Sequence, residues 1–456
     1  MGSRSRINRR SGLVAFLVTT ATTWAGSAHA AGFALMEQNA SGLGNAYAGQ
    51  AATAEDASTI FFNPAGMTLL PGRQVVVGGN FIRPKTEFND KGSTSPFLEP
   101  PAPPLPLGHA PGGDGGDAGD LSFVPHGYLS WEVVPSKVWV GVGVGVPFGL
   151  KTDYDDDWIG RFHGTKSEVK TLNINPSIAW KANETVSLGF GLNLQKFDAE
   201  LANAVSYTAA ILGGGGPYVP GLEGLATVEG DDWGWGWNAG VMLDLTPDTR
   251  VGISYRSKIK FELDGDVKFD NRPAALAAAL PNGDIEADVK VPDTLSIGVA
   301  HQLTPKTQLL ADYTWTGWDS IQDISIYRDT GAGLSRLELN MHDSWRMGVG
   351  LNYQLNDAWK LRAGMAYDRS AIRDGRTPRL PDEDRLWFTL GAQLALSKQA
   401  AIDVGYAFIT TRGDASVNQP NFATPTAGFP NSPRGNLVGD YDAKVHIVGI
   451  QARYSF

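Results

Sequence analysis

Trp345-Arg346-Met347-Gly348-Val349-Gly350-Leu351-Asn352-Tyr353-Gln354-Leu355 decides the fold. Trp345, Met347, Val349, Leu351, Tyr353 and Leu355 fall on one face of an extended chain, and Arg346, Gly348, Gly350, Asn352 and Gln354 on the other. One face is apolar with aromatics towards its ends; the other is glycine, polar or charged. A soluble sandwich also alternates, but its polar face rarely carries so much glycine.

The same period recurs along the chain. Leu386, Phe388, Leu390, Ala392, Leu394 and Leu396 share a face, as do Trp359, Leu361, Ala363, Met365 and Tyr367, and Val186, Leu188, Phe190, Leu192 and Leu194. Three tryptophans, Trp233, Trp235 and Trp237, point one way and read as an aromatic girdle at a membrane boundary. Short turns at 135–137, 182–184, 246–249, 304–307, 356–358 and 397–399 alternate with long connections at 89–121, 152–166, 201–226, 270–286, 328–334, 375–384 and 418–439. Six tight turns and seven long loops make fourteen strands, with both ends of the chain on the tight-turn side. An even strand number with short turns at one end and long loops at the other is the signature of a transmembrane β-barrel. The expected fold is therefore all-β, a 14-stranded antiparallel barrel, and the chain stops on Phe456, the aromatic end that outer-membrane assembly machinery reads. A propeller also has many short strands, but no fixed-period motif runs along this chain.

Two segments precede the barrel. In residues 1–30, Arg4, Arg6, Arg9 and Arg10 lead an apolar core, Leu13 to Val18, and Ala28-His29-Ala30 offers small residues to a signal peptidase. That core is far shorter than the roughly 18 to 20 residues of a spanning helix. Removing residues 1–30 takes Lys+Arg from 38 to 34 against 48 Asp+Glu, so the net charge moves from -10 to -14, a poor balance for binding nucleic acid. Residues 31–72 carry short helical pieces (Asn45 to Ala52, Glu55 to Ile60) between glycine turns and end in Asn63-Pro64-Ala65-Gly66. They are too long for a linker and too weakly patterned for a strand, so they are expected to plug the lumen of a barrel spanning 73–456.

Little in the residues points to chemistry. No cysteine is present, no histidine sits at ligand spacing from another, and no G-x-S-x-G elbow occurs, so neither an enzyme nor a cofactor is expected. Asp153, Asp155, Asp156 and Asp157 crowd one loop without calcium-loop spacing and read as a solvated face or a bridge to surface lipid. One strand is irregular. Val138 to Lys151 reads VWVGVGVGVPFGLK, where Pro147 removes a ladder donor and Gly145 and Gly149 flank it. The residues alone leave two readings open, a functional break or the end of the strand.

Ala31-Gly32-Phe33, Ser41-Gly42-Leu43-Gly44-Asn45-Ala46-Tyr47-Ala48-Gly49 and Asn63-Pro64-Ala65 resemble the hatch of the FadL-type transporters of long-chain fatty acids and hydrocarbons. The resemblance continues in Gly234 to Gly240, Tyr255-Arg256-Ser257, Leu380-Pro381-Asp382-Glu383-Asp384-Arg385-Leu386-Trp387 and Asp403-Val404-Gly405. It implies a barrel in the Gram-negative outer membrane that passes hydrophobic molecules by passive, hatch-gated diffusion with lateral exit at a kinked third strand. On that resemblance Phe33, Asn63, Pro64 and Ala65 lie on the ligand path, and Gly145, Pro147, Phe148 and Gly149 form the kink. Fatty-acid members pair the carboxylate with basic side chains; here Lys196 and Arg336 are the candidates, and a neutral hydrocarbon stays open as cargo. The expected partners are that ligand, membrane lipid and lipopolysaccharide, with the barrel a monomer. A non-specific porin or surface adhesin is the alternative.

Overall fold

The computed structural model describes residues 32–98 and 104–456; the expected signal segment and Ala31 lie outside them. Fourteen antiparallel strands close into a barrel. They are β1 (Arg73–Asp90), β2 (Ser122–Val134), β3 (Val138–Gly145, resuming as Gly149–Asp153), β4 (Lys166–Lys181), β5 (Val186–Ser206), β6 (Glu223–Thr246) and β7 (Thr249–Arg256, then Ile259–Phe269). The second half comprises β8 (Gly283–Val291, then Thr294–Thr304), β9 (Thr307–Thr316, then Asp323–Arg328), β10 (Gly333–Glu338, then Ser344–Gln354), β11 (Trp359–Asp368), β12 (Arg385–Ala395), β13 (Ala400–Thr411, then Ala415–Gln419) and β14 (Leu437–Ser455). The wall closes where β1 pairs with β14, from Gln74 opposite Ser455 to Asp90 opposite Gly439. Closure leaves no sheet edge facing lipid, as a bilayer requires.

The alternation observed in the sequence is the alternation of lipid and lumen. Leu188, Phe190, Leu192 and Leu194 are exposed on the outside of β5, while Asn193 and Gln195 are buried inside. Trp233, Trp235 and Trp237 also face outwards, Trp235 at 74% exposure. The loop expected at 201–226 is shorter, because β5 and β6 run on to Ser206 and from Glu223 and a short helix, α3 (Tyr207–Gly213), joins them.

That extension carries an inversion of polarity. Along β5 the outward residues change from Leu192 and Leu194 to Lys196, Asp198 and Glu200, and the inward ones from Asn193 and Gln195 to Phe197, Ala199 and Leu201. In β7 the break at Ser257–Lys258 does the same by shifting the pleat one residue. Ile253 faces out below it, whereas Phe261, Leu263, Val267 and Phe269 are buried above it and Lys260, Glu262 and Asp264 are exposed. A one-residue slip exchanges the two faces of a strand. Towards the long-loop end the barrel is therefore charged outside and apolar inside, a vessel standing above the hydrocarbon.

Residues 32–72 fill the lumen on the short-turn side as turns, 3-10 segments and two one-turn helices, α1 (Gln50–Thr53) and α2 (Thr59–Phe62). Nearly all of them are buried. The inward glycines of the wall are explained here. A Cβ at Gly252 would sit 1.7 Å from the Ala51 carbonyl oxygen, at Gly240 1.9 Å from Asn63 Oδ1, and at Gly189 2.1 Å from the Ala65 nitrogen. The plug backbone lies directly on the barrel backbone.

Candidate functional site

The irregular third strand breaks its ladder on both sides. β2 and β3 pair from Val134–Val138 to Gly127–Val144 and stop. Ser122 to His126 continue to pair with β1, and Gly149–Asp153 pair with β4, but no ladder joins these two stretches to each other. Opposite β4, Gly145 faces Asn173 and Gly149 faces Lys170, so three residues of β3 stand against two of β4. That is a one-residue bulge at Val146-Pro147-Phe148, and the pairing of β2 with β3 ends there.

A bulge leaves backbone groups to be satisfied. The start of the plug takes them up. Leu35 N–H donates to the Pro147 carbonyl at 2.8 Å, Gly149 N–H to the Phe33 carbonyl at 2.9 Å, and Gln38 Nε2 to the Val146 carbonyl at 2.7 Å. Thr171 Oγ1 accepts from Phe148 N–H at 3.0 Å and donates to the Phe148 carbonyl at 2.7 Å. Phe33, Phe148 and Trp318 form an aromatic cluster, with ring centroids 4.9 Å apart for Phe33–Trp318 and 5.8 Å for Phe33–Phe148.

Above this cluster lies a cavity of about 750 Å3, its open mouth included. Phe33 forms part of its lining with Leu150, Val169, Phe197, Leu263 and Val289, and its polar side chains are Ser167 and Arg379. Arg379 comes from the 369–384 loop, which folds inwards; the nearby Asp382 secures the plug, Gly32 N–H donating to its Oδ2 at 3.0 Å. Arg379 donates to the Lys166 carbonyl and Ser167 Oγ at 3.0 and 3.1 Å and to Asn203 Oδ1 at 3.0 Å. No carboxylate pairs with it among the described residues. Burial, with Arg434 nearby, pushes its pKa down to about 10. A desolvated cation in an apolar chamber is suited to an anionic head on an apolar tail.

The expected site residues divide. Phe33, Gly145, Pro147, Phe148 and Gly149 come together at the break. Asn63, Pro64 and Ala65 lie elsewhere, as an anchor. Asn63 Nδ2 donates to the Ala51 and Val241 carbonyls at 2.7 and 3.0 Å, and its Oδ1 accepts from Ala65 N–H at 3.1 Å. Lys196 and Arg336 do not reach the cavity. Each sits on the outward face of its strand and is already paired, Lys196 with Asp198 at 2.8 Å and Asp231 at 3.4 Å, and Arg336 with Asp323 and Glu338. The polarity inversion is the reason, since basic residues at that height face water. Arg379 was missed because its loop reads as a solvated connection.

A histidine and a serine far apart in the sequence meet at the rim. His109 Nε2 lies 2.7 Å from Ser206 Oγ, and Nδ1 lies 3.0 Å from Glu223 Oε2. Both His109 and Ser206 are buried, and Ser206 Oγ also accepts from Ala209 N–H as the cap of α3. The trio fastens a loop to the rim. Among the described residues no His, Asp and Glu cluster could hold a metal ion, the aspartates at 153–157 included.

Residues 21–456 match the family model described as outer membrane protein transport protein (OMPP1/FadL/TodX). The chain belongs to the OMPP1/FadL/TodX family. It is similar to outer membrane protein P1 of Haemophilus influenzae, 30% identical over 96% of this chain and 98% of that one. It is also similar to the long-chain fatty acid transport protein of Escherichia coli K12, 25% identical over 84% of this chain and 88% of the other. The crystal structure of a Pseudomonas aeruginosa FadL homologue superposes with a TM-score of 0.83 at 25% identity, covering 93% of this chain and all of that one. The Pseudomonas putida toluene transporter TodX shares the fold, with a TM-score of 0.61 at 18% identity over 88% of this chain and 94% of its own. As a FadL/TodX family member the protein is an outer-membrane transport protein and not an enzyme.

Proposed function

We propose that this barrel carries hydrophobic compounds with an anionic head, long-chain fatty acids above all, and releases them sideways through the gap between β2 and β3. The observation that carries this reading is the position of Phe33. Its ring lines the apolar cavity while its carbonyl holds the bulge of β3. A tail that enters the cavity competes with Phe33 for apolar contacts, at about 0.8 kcal/mol per buried methylene. Moving Phe33 also removes the bonds from residues 33–38 that cover the break. The hatch thus has a mobile lip, residues 32–38, and a fixed body ending at Asn63-Pro64-Ala65. Its opening is limited by the ligand's preference for the open state over the closed one.

Lateral release suits such cargo, because the tail reaches hydrocarbon without crossing water. It also favours a monomer, since a neighbouring barrel packed on β2 and β3 would cover the gap. The relatives include a long-chain fatty acid transport protein and a toluene transporter, and Arg379 favours the carboxylate. The test is uptake of labelled oleate and toluene by cells that depend on this protein. Val169→Glu, which puts a second charge in the cavity, should abolish oleate uptake; unchanged uptake by that variant would sink the reading.

A further inference from the structure

Beneath the cavity, inward-facing polar side chains cross four neighbouring strands at nearly one height. Asn173 and Asn175 stand on β4, Asn193 and Gln195 on β5, Asn238 on β6 and Arg256 on β7. The row starts at the kink, because Asn173 is the partner of Gly145, the last paired residue before the bulge. It is also the last inward-facing layer before the lumen turns apolar at Phe197 and Ile259.

Arg256 ends the row without an acidic partner among the described residues. Its guanidinium donates to Asn193 Oδ1 and, at 2.9 Å, to the Phe61 carbonyl, and its centre lies 4.3 Å from the Phe61 ring centroid. Arg256 and Phe61 are both only partly buried, so space adjoins them inside the lumen. Several buried side chains along the row and next to it keep a polar atom without a partner. Asn173 Oδ1, Asn175 Oδ1, Ser177 Oγ, Gln195 Nε2 and Asn238 Nδ2 have no hydrogen-bond partner. A native interior rarely leaves so many polar atoms idle in one place unless water or a ligand completes them.

We infer that this layer is a second station for the cargo's head, an anion shelf in which Arg256 takes the carboxylate when it leaves Arg379. The inference rests on lateral release as proposed above. A tail sliding through the gap draws its head down from the cavity roof, and a carboxylate cannot cross the Phe33–Phe148–Trp318 cluster into hydrocarbon uncompensated. The shelf adjoins the gap, offers a charge free of any internal acid, and supplies amide donors and water sites to keep the head solvated. Arg256 also grips the hatch through the Phe61 carbonyl, so an arriving carboxylate competes with a hatch contact.

The test compares uptake of oleate and of oleyl alcohol, which has the same tail and no carboxylate. It uses cells carrying the full-length wild type, Arg256→Gln, Arg256→Lys and Asn238→Asp, with barrel folding checked by heat-modifiable gel mobility. Arg256→Gln should lower oleate uptake about tenfold, the scale of losing a charged hydrogen bond, and leave oleyl alcohol uptake within about twofold. Arg256→Lys should restore most of it. Asn238→Asp, which supplies an internal acid beside the intact arginine, should depress oleate uptake alone. Equal losses of both probes would reduce Arg256 to a structural role and overturn the shelf, as would oleate uptake that no variant changes. If wild-type cells take up neither probe, the transport reading itself falls; wild-type uptake that Arg256→Gln leaves intact removes the shelf only.

Discussion

On the proposed function, specificity turns on two lumen-facing cations, Arg379 and Arg256, and each is legible only in three dimensions. Arg379→Gln keeps the donors to Ser167 and Asn203 in reach but removes the charge. It should weaken oleate binding by about ten- to a hundredfold and leave a neutral hydrocarbon unaffected, as read by competition binding on purified protein. His163, in the loop after β3, reports on the outer cap. Its Nε2 lies 2.9 Å from the Gly435 carbonyl, and burial, aided by Arg434, holds its pKa down at about 3. An unfolded histidine titrates near about 6.5. Below that value the opened loop binds a proton that the closed one refuses, so the closed form loses stability as the pH falls from about 6.5 to about 3. Hydrogen exchange of this loop should quicken over that range, and His163→Gln should flatten the response. The break at Pro147 is visible locally as a proline among alternating glycines, though the residues alone leave two readings of it open, and Phe33 enters only through the family resemblance. Sequence reading missed both arginines' roles because nothing local tells which charged residue lacks a partner.

At the scale of elements, the plug is held by two means, close backbone packing and ion pairs. Glycines of β5, β6, β7 and β11 admit its backbone. An ionic network fixes it to β10, β11, β13 and β14. Glu55 pairs with Arg362 at 2.6 Å and Lys360 at 3.5 Å and accepts from Asn352 at 2.6 Å, while Arg362 also meets Asp403 at 2.8 Å. Arg362→Ala leaves Asp403 a buried acid without a cation and Glu55 with only its longer contact to Lys360, a loss of about 3–5 kcal/mol. That variant should unfold at markedly lower denaturant and pass more ionic current in planar bilayers, because the body of the plug is loosened. The strand pattern was readable across the membrane, where one face must be apolar. It failed above the membrane, where β5 and β6 continue with their polarity exchanged and read as loop. The inward glycines were visible as a pattern, but their reason, contact with a plug far away in sequence, was not.

At the scale of the whole molecule, the barrel is two vessels stacked end to end. The lower one is apolar outside and packed with the plug. The upper one is charged outside and apolar within, and the gap in β3 lies where they meet. The strand count follows from alternating segments joined by short turns and long loops in strict succession, whereas the apolar chamber depends on an inversion that no repeat announces. On the proposed function, the cargo's path runs from the long-loop end, past Arg379 and Phe33, to the wall. The most direct test removes Pro147 alone, which matches the residue count of β3 to that of β4 and lets the ladder run unbroken. The account predicts a folded barrel that still binds oleate but takes it up at close to the level of cells without the protein. Oleate uptake equal to wild type in that deletion would contradict it.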